Sequence, residues 1–170
     1  VWGVGTKLVT AYDQPALGGV YKLGAMKNEA GHWEPKVKLS EQAIKTSTPG
    51  MLQVRRFHNG QSAVGDMIYD ELAGEPETAV IVDPLDTTRR LLLEDVLSSA
   101  NLLMPVVRDG TVVQPPEDLA TIRARAASQL SLFHAGIRRH MNPHQYPVGL
   151  EQSLHDRKTQ LILEARGVAT

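Results

Sequence analysis

Charged and apolar residues alternate over Lys36-Val-Lys-Leu39, inside a stretch running from Trp33 to Ser40. A period of two means a strand with one buried face and one wet face, with the lysines on the wet side. Just upstream, Val20, Tyr21, Leu23 and Met26 mark a strand-like run from Gly18 to Ala30. Asn28-Glu-Ala-Gly31 supplies the turn that makes the two runs a hairpin. A second hairpin is predicted from Met51–Phe57 and Ala63–Tyr69, which flank His58-Asn-Gly-Gln61, because Asn-Gly is a strong hairpin signal. Ala79-Val-Ile-Val82 reads as a further strand ending at Asp83-Pro84, and Leu8-Val9 as a short strand or first helical turn. Residues 7–84 are therefore expected to form a small antiparallel sheet.

Downstream the pattern changes. Thr87–Leu97 fits a helix and a long strand equally well. Leu102–Val107 and Thr111–Val113 are expected to pair across Asp109-Gly110. Pro115-Pro-Glu-Asp118 opens a helix, with acids at its positive end and Leu119, Ile122, Ala126, Leu130 and Phe133 on one stripe. A last helix is predicted from about Gly149 to Arg166, with Leu150, Leu154, Leu161 and Ile162 inward and Gly167 ending it. The fold class expected is α+β, a β-rich antiparallel sheet followed by C-terminal helices.

Composition narrows the function classes. A length of 170 residues fits one domain or the end of a larger one. The formal net charge of −1 gives no global field to hold nucleic acid or an anionic membrane, and no apolar run approaches the ~20 residues of a membrane-spanning helix. With no cysteine, disulfides, thiol nucleophiles and Cys-ligated zinc are excluded, in keeping with a cytoplasmic setting. Three arginine pairs (Arg55-Arg56, Arg89-Arg90 and Arg138-Arg139) are expected to be solvated or locally salt-bridged. The six histidines have no paired acids beside them and read as surface or capping residues. Asp13, Asp66, Asp70, Glu71, Asp83 and Asp86 fall mostly at turns or strand ends, where acids are favoured, so no metal ligand is named.

Chemistry is suggested first by Gly3-Val-Gly-Thr6. Such a loop can turn its backbone N–H groups onto an anion, with the Thr6 hydroxyl as a further donor. Further motifs follow in order: Pro15-Ala-Leu-Gly-Gly-Val-Tyr-Lys-Leu23, Lys36-Val-Lys-Leu-Ser-Glu41 and Lys45-Thr-Ser-Thr-Pro-Gly50. Later come Leu103-Met-Pro-Val-Val-Arg-Asp-Gly110, Ala127-Ser-Gln-Leu-Ser-Leu132, Arg138-Arg139 and Asn142-Pro-His-Gln-Tyr-Pro-Val148. In this order the set resembles the C-terminal part of nicotinate phosphoribosyltransferase. Each motif is weak alone; the ordered series over almost the whole chain is specific.

The resemblance implies a type II phosphoribosyltransferase whose α/β barrel lies mostly upstream of this chain. It divides the chain into 1–17, the end of the barrel with its phosphate loop; 18–113, a β-rich domain; and 114–170, C-terminal helices. The implied reaction forms nicotinate mononucleotide from nicotinate and phosphoribosyl pyrophosphate in NAD biosynthesis, with ATP and Mg²⁺ used by the complete enzyme. Thr6, Gly5 and Gly3 are the implied contacts to the sugar phosphate. No catalytic residue is expected here, since the phosphorylated histidine and the nicotinate pocket belong to the upstream part. The Lys45–Gly50 turn reads as a hairpin-to-strand connection. The implied partners are the N-terminal remainder of the enzyme and a second copy in a homodimer, with no nucleic acid and no membrane. Because Val1-Trp2 leaves almost no strand to aim the glycine loop, the chain is expected to be a fragment, inactive alone. The alternatives are a nicotinamide phosphoribosyltransferase and a non-catalytic β-rich binding or assembly module.

Overall fold

A computed structural model describes residues 2–5, 9, 21–41, 45–60, 62–93 and 96–168. The first hairpin pairs β1 (Ala25–Lys27) with β2 (Trp33–Pro35), and Asn28 closes its turn by accepting from the His32 amide. The second pairs β3 (Leu52–Asn59) with β4 (Ser62–Asp70), Gly60 taking the left-handed conformation at φ +68. The strands β5 (Val80–Val82) and β6 (Arg90–Leu92) follow, so the ambiguous 87–97 stretch holds a strand. Then come β7 (Ser98–Asn101), β8 (Val107–Arg108) and β9 (Thr111–Val112), the last two joined by Asp109 and Gly110, both at positive φ as a tight hairpin turn needs. The helices are α1 (Leu119–Ser131), the single turn α2 (Ala135–Arg138) and α3 (Gln152–Ala165), with β10 (Val148–Glu151) running directly into α3.

The main sheet has six strands in the order β6-β5-β10-β4-β3-β7. All its pairs are antiparallel except β10 with β4, which is parallel. This corrects two expectations. The described strands between 21 and 84 do not form one antiparallel sheet, since the β1–β2 hairpin is a separate two-stranded unit and β10 inserts between β4 and β5. The last helix begins at Gln152 rather than near Gly149.

Physical reasons for both lie in three residues. At Gly149 an added Cβ would meet Ile81 Cγ2 at 2.3 Å and the Val82 carbonyl oxygen at 2.4 Å, so only glycine lets β10 lie this close to β5. Leu150 is buried as expected, at 2% exposure, but as a strand residue. Glu151 then starts the helix as its N-cap, accepting from the amides of Ser153 and Leu154 at 2.9 Å each. Leu154 is buried and Leu161 and Ile162 are half-buried, so the inward face of α3 is as predicted.

The core is small: Phe57, Met67, Ile81 and Leu93 pack together, with Val64, Ala79 and Val96 against them. Strand β7 was not foreseen because Ser98-Ser-Ala-Asn101 is polar and wholly exposed, which leaves no apolar alternation to read. Helix α1 forms as predicted, capped by Asp118 accepting from the Thr121 amide at 2.8 Å. None of its residues is buried.

Substituting Gly149→Ala is expected to cost about 1–3 kcal/mol through overpacking against Val82. Urea denaturation of the two proteins checks it, and an unchanged midpoint would contradict the close approach.

Candidate functional site

Among the described residues, the Asp66 carboxylate on β4 accepts hydrogen bonds from two side chains that lie far apart in sequence. The β3–β4 register places Arg56 opposite Asp66, so the guanidinium reaches the carboxylate with both arms, Nε to Oδ1 at 2.8 Å and Nη2 to Oδ2 at 2.7 Å. The Tyr146 hydroxyl donates a third bond to Oδ1 at 2.8 Å. Arg56 also donates to Gln129 Oε1 on α1 at 3.2 Å, and its guanidinium lies 4.9 Å from the Phe133 ring centre. Phe133 and Tyr146 meet edge-to-face at 4.8 Å. Backbone bonds run parallel to these contacts, from the Asp66 amide to the Pro147 carbonyl and from the Ala63 amide to the Leu132 carbonyl.

Asp66 holds the Arg56 pKa above its usual value, and burial, then the Asp66 hydrogen bond, push the Tyr146 pKa up. Three donors converge on one carboxylate, in a pair whose side chains are only 12% and 10% exposed. A general base needs a free lone pair facing a substrate, and Asp66 is instead spent on holding β3, β4, the end of α1 and residues 146–147 together.

A second node fixes the Lys45–Gly50 turn. Ser47 is buried, its Oγ accepting from the Lys38 amide at 2.7 Å and its amide donating to the Lys38 carbonyl. The Gly50 amide donates to the Gly24 carbonyl, and Gly50, at φ +104, has no room for a Cβ against the Asp70 carboxyl group. Asp70 Oδ1 in turn accepts from the amides of Met51 and Leu72. Lys158 reaches Thr48 Oγ1 at 3.2 Å from α3, and burial pushes its pKa down. The turn thus joins the first hairpin to β3, as expected. Sequence reasoning missed the part played by Asp70, whose only signal was its position at a strand end opposite an invading glycine.

Of the sugar-phosphate contacts, Gly3 and Gly5 lie in the exposed stretch 2–5, where an added Cβ would meet no atom within 4 Å. Packing among the described residues therefore does not require glycine at either position. Thr6, together with Leu8, Asp13 and 15–20, lies outside the described residues. Three of the six arginines in the predicted pairs form local ion pairs: Arg55 with Glu75, Arg56 with Asp66, and Arg89 with Asp83 at 3.8 Å. Arg89 and Arg90 line a cleft of about 230 Å³ bounded by β5, β6 and residues 145–148. His134 caps α2 by accepting from the Gly136 amide, in line with the capping role expected. His140 and His144 stand four apart, but residues 139–147 are not helical, so this spacing does not set them on a helix face. Among the described residues no group of three or more His, Asp or Glu could hold a metal ion.

The ordered motifs, the six-stranded mixed sheet and the trailing helix find their counterpart in known proteins. A family model described as "Nicotinate phosphoribosyltransferase C-terminal domain" matches residues 53–158. The chain belongs to the nicotinate phosphoribosyltransferase family. It is 34% identical to the nicotinate phosphoribosyltransferase of Bacillus subtilis (strain 168), over 98% of this chain and 34% of that protein. It is also 34% identical to the human nicotinate phosphoribosyltransferase, over 91% of this chain and 28% of that protein. The crystal structure of human nicotinic acid phosphoribosyltransferase superposes with a TM-score of 0.58 at 26% identity, covering 68% of this chain and 24% of that one. The chain thus spans about a third of the length of these nicotinate phosphoribosyltransferases.

Two outcomes test the Asp66 node. Replacing Asp66→Asn should destabilise the chain by about 3 kcal/mol, because Arg56 is left as a buried, uncompensated cation. Calorimetric or urea unfolding measures this directly. Tyr146 has its folded pKa raised above the unfolded value of 10.0, so its contribution is complete below pH 10 and is lost as pH rises above it. The stability difference between the parent chain and Tyr146→Phe should therefore shrink above pH 10, by at most about 1.4 kcal/mol per pH unit. A difference that stays flat from pH 9 to 12 would show that Tyr146 is not held neutral by Asp66.

Proposed function

We propose that this chain is the C-terminal segment of a nicotinate phosphoribosyltransferase and acts only as part of the complete enzyme. The observation that carries the reading is continuity. One relative of that name matches 98% of the chain, and the family's C-terminal domain falls on 53–158, which takes in nearly all of the six-stranded sheet and the first half of α3. In the reaction, the nicotinate nitrogen bonds to the anomeric carbon of phosphoribosyl pyrophosphate as the bond from that carbon to pyrophosphate breaks. The sugar develops cationic character on the way, so the protein must pin the sugar phosphate and shield the leaving group from competing contacts.

In this reading the chain contributes Thr6, with the Gly5 and Gly3 amides, to the sugar-phosphate site. The glycines suit that role because their exposed backbone can approach an oxygen closely, and internal packing gives no other reason for them. Mg²⁺ enters with the substrate phosphates and water rather than through acids of this chain, and ATP is a substrate of the upstream part. The complete enzyme is a homodimer of the cytoplasm; the absence of cysteine suits that compartment, and no helix of the described residues is long and apolar enough to cross a membrane.

The test is an enzyme in which this chain replaces the matching third of the Bacillus subtilis relative, assayed for nicotinate mononucleotide. Activity from the joined protein and none from this chain alone supports the reading; an inactive but folded joined protein overturns it. Within the active protein, Thr6→Ala should raise KM for phosphoribosyl pyrophosphate about tenfold, the loss of one hydrogen bond to a charged group. KM for nicotinate should hold within about twofold, since the change removes a contact to the other substrate.

A further inference from the structure

Residues 102–131 form an arm that the rest of the described residues leaves bare. Its hairpin, β8–β9, has two strands of two residues each, with Val107 59% and Val112 62% exposed. A lone two-stranded hairpin is marginal in water. Helix α1 has 13 residues and buries none of them, with Leu119 at 70% and Leu130 at 60% exposure. An isolated helix shorter than about 12–15 residues is likewise marginal. Met104, between β7 and β8, is 66% exposed.

Both roots of the arm are nonetheless tied by specific bonds. At the first, the Gln53 side chain, only 5% exposed as a residue, donates to the Leu103 carbonyl at 3.1 Å and accepts from the Leu103 amide at 2.9 Å. At the second, Gln129, Leu132 and Phe133 meet Arg56 and Ala63. The arm is aimed from the core, yet nothing among the described residues covers it.

We infer that the arm docks on the N-terminal remainder of the enzyme, with α1 and the β8–β9 hairpin as the contact surface. The inference rests on the proposed function and adds to it the face by which the chain joins the remainder. The occupant follows from length: the relatives are about three times as long, so roughly two-thirds of such an enzyme lies outside this chain. The size fits as well, since the arm's large apolar side chains offer on the order of the ~800 Å² that one partner contributes to a stable interface. A partner held in the same polypeptide covers such a face continuously, which an exposed patch of this size needs to avoid aggregation.

The test separates docking from folding. Leu119→Asp with Leu130→Asp places charges on residues that are mostly exposed, so the isolated chain should keep its melting temperature. The chain and the N-terminal remainder of the Bacillus subtilis relative are co-expressed as two polypeptides, with a tag on the remainder. The parent chain and a Leu85→Asp control, altered at a residue 61% exposed outside the arm, should co-purify with it, while the double variant should not. Hydrogen exchange of amides 119–131 should slow about 100-fold in the assembled form, as expected when an exposed helix becomes part of a packed unit. Equal co-purification of parent and double variant would overturn the docking face while leaving the enzyme reading intact. A dimer of the isolated chain that the double variant dissolves would also overturn it, making a second copy the occupant. Failure of the parent chain to co-purify at all would overturn the inference. The activity of the joined protein then decides whether the proposed function falls with it.

Discussion

The Asp66 carboxylate, gripped by Arg56 from the neighbouring strand and by Tyr146 from 80 residues downstream, is the constraint on which the rest of the arrangement hangs. One group fixes the pairing of β3 with β4, the far end of α1 and the approach of the chain to β10. Two charges taken out of water this far cost several kcal/mol each unless their hydrogen-bonding capacity is met. Here it is met: the carboxylate takes three donors, and the guanidinium adds Gln129 and a ring face. The node therefore rewards one tertiary geometry and penalises near misses, which a purely apolar core of this modest size would do less sharply.

How much was legible in the sequence depends on whether a residue's role was local. The β3–β4 hairpin and α1 announce themselves through Asn59-Gly60 and the Asp118 cap, signals contained within a few residues. The three-stranded junction at β10 does not, since Val148-Gly-Leu-Glu151 is as compatible with a helix start as with a strand. What makes it a strand is a gap between β4 and β5 that only Gly149 can enter, and that gap exists only in three dimensions. The same distinction governs the polar nodes. Asp66 and Asp70 looked like ordinary strand-end acids, because their partners Arg56, Tyr146, Met51 and Gly50 are brought to them by folding. Family membership was legible because it needs only order and spacing; the phosphate-loop role of Thr6 remains a matter of motif, as that residue lies outside the described part.

The two ends of the Lys45–Gly50 turn show how a motif can be specific without being chemical. Ser47 and Gly50 are fixed by Lys38, Gly24 and Asp70, so these two residues of the pattern answer packing demands inside this chain. Gly3 and Gly5 meet no such demand among the described residues.

The parallel insertion of β10 has a consequence for how the chain comes to be folded. Strand β4 ends at Asp70 and β5 begins at Val80, yet the two do not pair with each other; each pairs with residues 148–151, which lie between them. While the protein is being synthesised, the two halves of the sheet must wait, each with an open edge, for nearly 70 further residues to emerge. Closure of such long-range pairs is slow compared with local hairpins, and open edges invite pairing with other chains. Any product that stops short of Val148 would consist of two unfinished sheets, so quality control of this domain rests on its last strand.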